Sequence, residues 1–135
     1  MKRKKKSNIR KVEEELWELC RQITFRRHGN KCFTCGAPGL SGGNLQCGHG
    51  PWPKGALGAF LKYDLRVLRP QCMICNIRRS GMSYEFSKKL LAIEGQEYVD
   101  QLEKDRVLDR QATLKSSDHY PVLVAEYKAI LASLN

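Results

Sequence analysis

Two short motifs limit what this chain can become. Cys32-x-x-Cys35 and Cys72-x-x-Cys75 stand with 36 residues between them. Each pair presents two thiolates to one side of a tight turn. Two pairs together make a tetrahedral four-sulfur site, the arrangement a structural zinc requires. Lys31, Arg78 and Arg79 lie beside the pairs and offset the net charge of such a centre. Disulfides fit poorly: Met1–Lys6 is basic with no apolar segment behind it, so no export signal is read there and a reducing compartment is expected. A thioredoxin-like redox pair needs a βαβ setting that is not visible. Iron–sulfur ligation stays open on composition. Cys20 sits on the apolar face of a predicted helix and reads as core. Cys47 reads either as core or as a spare ligand near His49.

The charge is uneven. The chain of 135 residues has a net charge of +10. Residues 1–30 hold ten basic and four acidic side chains, residues 31–90 nine and two, and residues 91–135 five and eight. The first two thirds are therefore built to meet a polyanion, with nucleic acid the expected partner. Uniform solubilising charge would not leave Asp64 and Glu85 as the only acids in sixty residues. No apolar run is long enough for a membrane span.

The coarse pattern is α+β. A basic arm covers 1–8. Val12, Leu16, Leu19, Cys20 and Ile23 recur at helical spacing over 9–27, with Gly29 as the stop. Leu45–Cys47 and Arg66–Arg69 read as two strands of a small hairpin, the second ended by Pro70. Residues 49–63 form a loop rich in Pro and Gly. Phe86, Leu90 and Leu91 predict one helix, broken at Gly95. Tyr98, Val99, Leu102 and Val107 predict a second, and Pro121 is read as the start of a third. These C-terminal helices are expected to close over the metal centre.

His49 is the histidine that falls between the two cysteine pairs, at the end of the first strand. A neutral imidazole there can activate water against a phosphodiester; a structural role, or ligation in place of a cysteine, is the alternative. The set Cys32-x-x-Cys35, Leu45-Gln-Cys-Gly-His49, Tyr63-Asp64, Arg69-Pro-Gln-Cys-x-x-Cys-Asn76, Gly81 and Tyr84-Glu-Phe resembles the phage NinG recombination proteins, a branch of the zinc-containing HNH, or ββα-metal, nucleases. The likeness runs over about residues 10–134, with Leu16-Trp17 in its lead-in.

That resemblance implies an α+β fold: a small zinc-clamped ββα-metal (HNH-like) core with an N-terminal helix and C-terminal helices. It divides the chain into the arm 1–8, helix and core 9–81, and helical extension 82–135. It implies structural zinc on Cys32, Cys35, Cys72 and Cys75. His49 matches the histidine that polarises water. Asn76 matches the last position of the signature, near a catalytic magnesium or manganese ion. Asp64 is a further candidate for that ion or for positioning. Lys54, Arg66 and Arg69 are expected to neutralise phosphate, with Arg78 and Arg79 binding nucleic acid nearby. Trp52 is read as stacking on a base or as buried. The implied activity is hydrolysis of DNA phosphodiesters; a binding module that does not cut is the alternative. The implied partner is DNA, branched or single-stranded forms included, in the bacterial host cytoplasm, with a homodimer as one way to address two strands. Three positions depart from the pattern: Val67 where an Asn orients the histidine, Gly48 where many HNH enzymes carry Asp, and Met82 where Asn often follows Gly.

Overall fold

The computed structural model describes residues 7–111 and 116–134. Helix α1 spans Asn8–His28. The Ser7 side chain caps it by accepting the Arg10 N–H, so the last two residues of the expected arm belong to the helix and its cap, while residues 1–6 lie outside the described residues. Its apolar stripe is the predicted one: Leu16, Leu19, Cys20 and Ile23 are buried.

Strand β1 (Gln46–Gly48) pairs antiparallel with β2 (Arg69–Gln71), with Gln46 opposite Gln71, Cys47 opposite Pro70 and Gly48 opposite Arg69. Pro70 thus lies inside the second strand rather than ending it. Its carbonyl turns away from β1 and accepts the Phe33 N–H at 2.8 Å, so Cys47 and Pro70 form a pair without ladder hydrogen bonds, and the missing N–H costs nothing there. The residues expected to begin this strand, Arg66 and Val67, form a 3-10 turn over Leu65–Val67 instead, because the Asp64 carboxylate caps it at the Arg66 N–H. A π-helical turn, Ile74–Arg78, follows β2.

Three helices complete the chain: α2 (Ser83–Glu94), α3 (Gln96–Gln111) and α4 (Ser116–Ser133). Gly95 separates α2 from α3 as predicted. Pro121 lies inside α4 rather than at its start. The residue before it, Tyr120, is 1% exposed and donates to the Ala59 carbonyl, which anchors the turn that the proline weakens. The apolar interior falls into two clusters. The larger unites α1, Leu61, Tyr63, Val67, Leu68, Phe86, Leu90, Leu102 and α4; the smaller holds Cys32, Leu40, Cys72 and Cys75. Of the C-terminal helices, α2 packs on the first cysteine loop, with Phe86 against Phe33 and Lys89 donating to the Thr34 carbonyl. All three also hold the irregular segment 49–68, where short 3-10 turns leave many backbone groups without sheet or α-helix partners. Tyr98 donates to the Arg66 carbonyl, Tyr127 to that of Tyr63, and Ser87 to that of Pro51, while the Asp109 carboxylate accepts the N–H groups of Phe60 and Leu61. No helix among the described residues is long and apolar enough to cross a membrane.

Candidate functional site

The two cysteine pairs meet. The sulfurs of Cys32, Cys35, Cys72 and Cys75 all lie within 4.8 Å of one another. The first pair arrives on the loop whose Phe33 N–H docks on the outer edge of β2; the second directly follows that strand. A regular tetrahedron with zinc–sulfur bonds of about 2.3 Å has sulfur–sulfur edges of about 3.8 Å. Cys35 Sγ and Cys72 Sγ stand 3.8 Å apart, so the donor set and its spacing fit zinc. Burial opposes ionisation of Cys32, but backbone N–H groups of Cys35 and Cys72 and the Thr34 hydroxyl outweigh it and bring the thiol down to about 6. Burial pushes Cys75 up to about 12, so a cation is what would make that sulfur a thiolate. Cys35 is exposed and the other three are buried. Among the described residues, no other set of three or more His, Cys, Asp or Glu side chains comes together this way.

Cys20 and Cys47 stand apart from that centre. Both are in the larger core, and burial raises both thiols, Cys47 to about 12. Of the two readings of Cys47, the structure supports core.

His49 and Asn76, 27 residues apart in the chain, line one cleft of about 240 Å³ with Gly50, Trp52, Ile77, Ser80 and Gly81. His49 follows β1; Asn76 sits in the turn that follows β2. The hairpin brings them together. Asn76 Nδ2 donates to Gln46 Oε1 at 2.8 Å, which leaves Oδ1 as the free acceptor of that amide. The His49 ring lies parallel to Trp17 of α1, with centroids 4.9 Å apart and planes 7° apart. Trp17 thus supports one face of the imidazole. Sequence reasoning placed Trp17 in the lead-in without giving it a role; its one signal was a tryptophan on the rim of the α1 apolar stripe.

Two of the three departures, Gly48 and Val67, have physical reasons. A Cβ on Gly48 would overlap the carbonyl oxygen of the buried Gln71 side chain, so an Asp here would have to displace Gln71 from its bonds to Thr34 and Gly81. Gly50, at φ +84°, would bring a Cβ to 2.5 Å from the Val67 carbonyl oxygen. Val67 is 0% exposed and packs in the larger core behind the His49 turn. Met82 has φ 54° and ψ 49°, a left-handed conformation that Asn tolerates better than Met, and it packs on the cysteine cluster.

The remaining predicted residues disperse. Asp64 lines a different cleft, with Arg66, Asp105 and Asp109. Its carboxylate accepts the Arg66 N–H and guanidinium, the closest contact being 2.7 Å. The other arm of Arg66 pairs with Asp105 at 2.8 Å, and these contacts hold the Arg66 guanidinium charged and the Asp105 carboxyl below its usual range. Arg69 is 4% exposed; its guanidinium donates to the carbonyls of Leu65, Arg66 and Leu68 and reaches Glu94 and the Tyr98 hydroxyl. The expectation that Arg69 meets phosphate is therefore corrected: it is a bracket inside the fold. Arg78 and Arg79 are exposed, at the end of the turn that carries Asn76. The Lys54 side chain lies outside the described residues. Trp52 is half-buried in the cleft wall, with the Arg106 guanidinium 5.6 Å from its ring centre.

No solved structure matches the chain. The curated Protein ninG of Escherichia phage 933W and Protein ninG of Enterobacteria phage VT2-Sa are each 31% identical to it over 74 residues, a stretch that covers 55% of this chain and 35% of theirs. The aligned part thus spans about a third of those relatives. The family model described as Bacteriophage Lambda NinG protein matches residues 1–135, and the chain, four-cysteine centre included, belongs to the NinG family.

Proposed function

We propose that this chain is a DNA endonuclease or nickase of the HNH, or ββα-metal, kind, working in phage DNA recombination or processing. The observation that supports this most is the meeting of His49 and Asn76 in one cleft, carried by strand, strand and short helical turn in that chain order, with Cys75 of the metal centre directly before Asn76. In this reading zinc on the four cysteines fixes the turn and does no chemistry. The His49 imidazole, held flat on Trp17, takes the proton from an attacking water. Arg78 and Arg79 hold flanking phosphates. A divalent magnesium or manganese ion, when bound, would neutralise charge at the departing 3′ oxygen. The cleft lining contains no carboxylate, so the protein offers such an ion Asn76 Oδ1 and no cage of its own. Asp64, turned to Arg66, is not part of that lining. The partner in this reading is DNA in the host cytoplasm, and a homodimer would present two clefts to two strands.

The same absence of a carboxylate favours a second reading, a zinc-dependent DNA-binding recombination accessory that does not cut. A nicking assay on linear and branched DNA, in magnesium and in manganese, separates the two. Cutting by the native protein and its loss in His49→Ala is the expected result. Binding without cutting under every condition selects the accessory role.

A further inference from the structure

A second cleft, of about 280 Å³, lies on the other side of Asn76 and is bounded by Trp17, Arg21, Gly42, Gly43 and Gln46. Two side-chain pairs form the ridge between the clefts. Trp17 of the second cleft stacks on His49 of the first, and Gln46 of the second accepts the amide of Asn76, which lines both. The clefts are therefore neighbours one side chain apart. Among the described residues that line it, the second holds one charged side chain, Arg21, and no carboxylate. Its far wall is a turn of two exposed glycines with open space where their Cβ atoms would stand, so a ligand backbone can approach the chain closely. The Arg21 guanidinium is 37% exposed, rests 5.6 Å from the Phe25 ring centre and meets Glu18 at 3.2 Å. An exposed helix pair of that kind competes weakly with a phosphate, which an arginine can hold through two parallel hydrogen bonds.

We propose that this second cleft is a phosphate subsite for the DNA strand whose neighbouring phosphodiester occupies the His49 cleft, with Arg21 as its cation. The proposal rests on the reading of the His49 cleft as a DNA site, and not on whether that cleft cuts. Its role is binding and register: Arg21 sets which bond lies under His49 and does not touch the reacting atoms.

The test measures binding apart from cutting. Affinity for a labelled branched duplex is measured against salt in calcium for the native protein, Arg21→Gln, Arg21→Lys and Arg27→Gln, the last an exposed cation of the same helix outside the cleft lining. Arg21→Gln is expected to weaken binding about tenfold and to flatten the log–log salt slope by about 0.9, the share of one phosphate contact. Arg21→Lys should restore most of the slope, and Arg27→Gln should change it by less than half as much. Replacing single phosphates of the strand by neutral methylphosphonates should reveal one position that weakens the native protein and is silent in Arg21→Gln. In manganese, single-turnover nicking by Arg21→Gln at saturating protein should spread to neighbouring bonds, a loss of register that saturation does not restore, whereas Arg27→Gln should stay within about twofold of native. An Arg21→Gln slope no different from that of Arg27→Gln, or no such silent position, overturns the subsite. Failure to nick with the Arg21 effect intact overturns the nuclease reading alone.

Discussion

His49 takes its orientation from a side chain on another element. The parallel contact with Trp17 opposes tilting of the imidazole. Proton abstraction depends on direction as well as reach, so on the nuclease reading this stack would serve the role expected of an asparagine at position 67. Val67 could not be that asparagine without burying an unpartnered amide in the core. On the nuclease reading, Trp17→Leu should lower single-turnover nicking about 10- to 100-fold with DNA affinity changed by less than about threefold, whereas Trp17→Phe should keep most of the rate. Trp17 also touches Tyr63 edge-on, so thermal denaturation of both variants is needed beside the rates. Equal loss of rate in Leu and Phe variants would show that packing, not the aromatic plane, matters. None of this was legible in the sequence, because ring stacking between residues 17 and 49 is a product of how α1 crosses the hairpin.

At the scale of elements, the informative unit is the irregular segment 49–68 and the helices that satisfy it. Asp109 near the end of α3 accepts two backbone N–H groups at 2.8 and 3.1 Å, at the start of the Leu61–Tyr63 turn. Asp109→Ala leaves both donors without that partner and should cost about 1–2 kcal/mol, read as a lower urea midpoint at constant slope. Asp109→Asn retains one acceptor oxygen and should cost about half. An Ala variant as stable as native would mean that water replaces the carboxylate freely. The helices themselves were legible: the spacing of Leu16, Leu19, Cys20 and Ile23 gave α1, and Gly95 gave the break between α2 and α3. The places they pack were not. Tyr98 looked like an ordinary apolar position, yet it, Tyr120 and Tyr127 each carry a hydroxyl that reaches a carbonyl of the loop. The surroundings of Arg66 and Arg69 were not legible for a related reason. A basic residue near a predicted hairpin looks like a phosphate ligand until the three-dimensional neighbours Asp64, Asp105 and Glu94 are known.

For the whole molecule, the four cysteines were the part most fully legible, since ligand type and spacing are local facts. Their separation from the main core was not. Because the larger cluster contains no metal-site cysteine, removing zinc should affect the two clusters unequally. Zinc binds thiolates, so affinity falls as pH falls and the sulfurs take up protons. Backbone N–H groups favour the Cys32 thiolate while burial opposes that of Cys75, so protons and zinc compete for the same sulfurs. Acidification, a strong chelator, or Cys72→Ser should release the metal. Hydrogen exchange should then show lost protection at 46–48 and 69–71, with residues 16–24 and 120–130 still protected. Uniform loss along the chain would show a single cooperative unit instead. In the language of polymer loops, a metal on the four cysteines would be a cross-link between the two ends of a 36-residue span that contains β1, His49 and the whole segment 49–68. Closing a loop of that length costs a free chain about 4 kcal/mol of entropy at room temperature. Zinc held there would set a tether length for His49 and Asn76, and any insertion between Cys35 and Cys72 would lengthen that tether at a logarithmic cost, about 0.6 kcal/mol for each doubling.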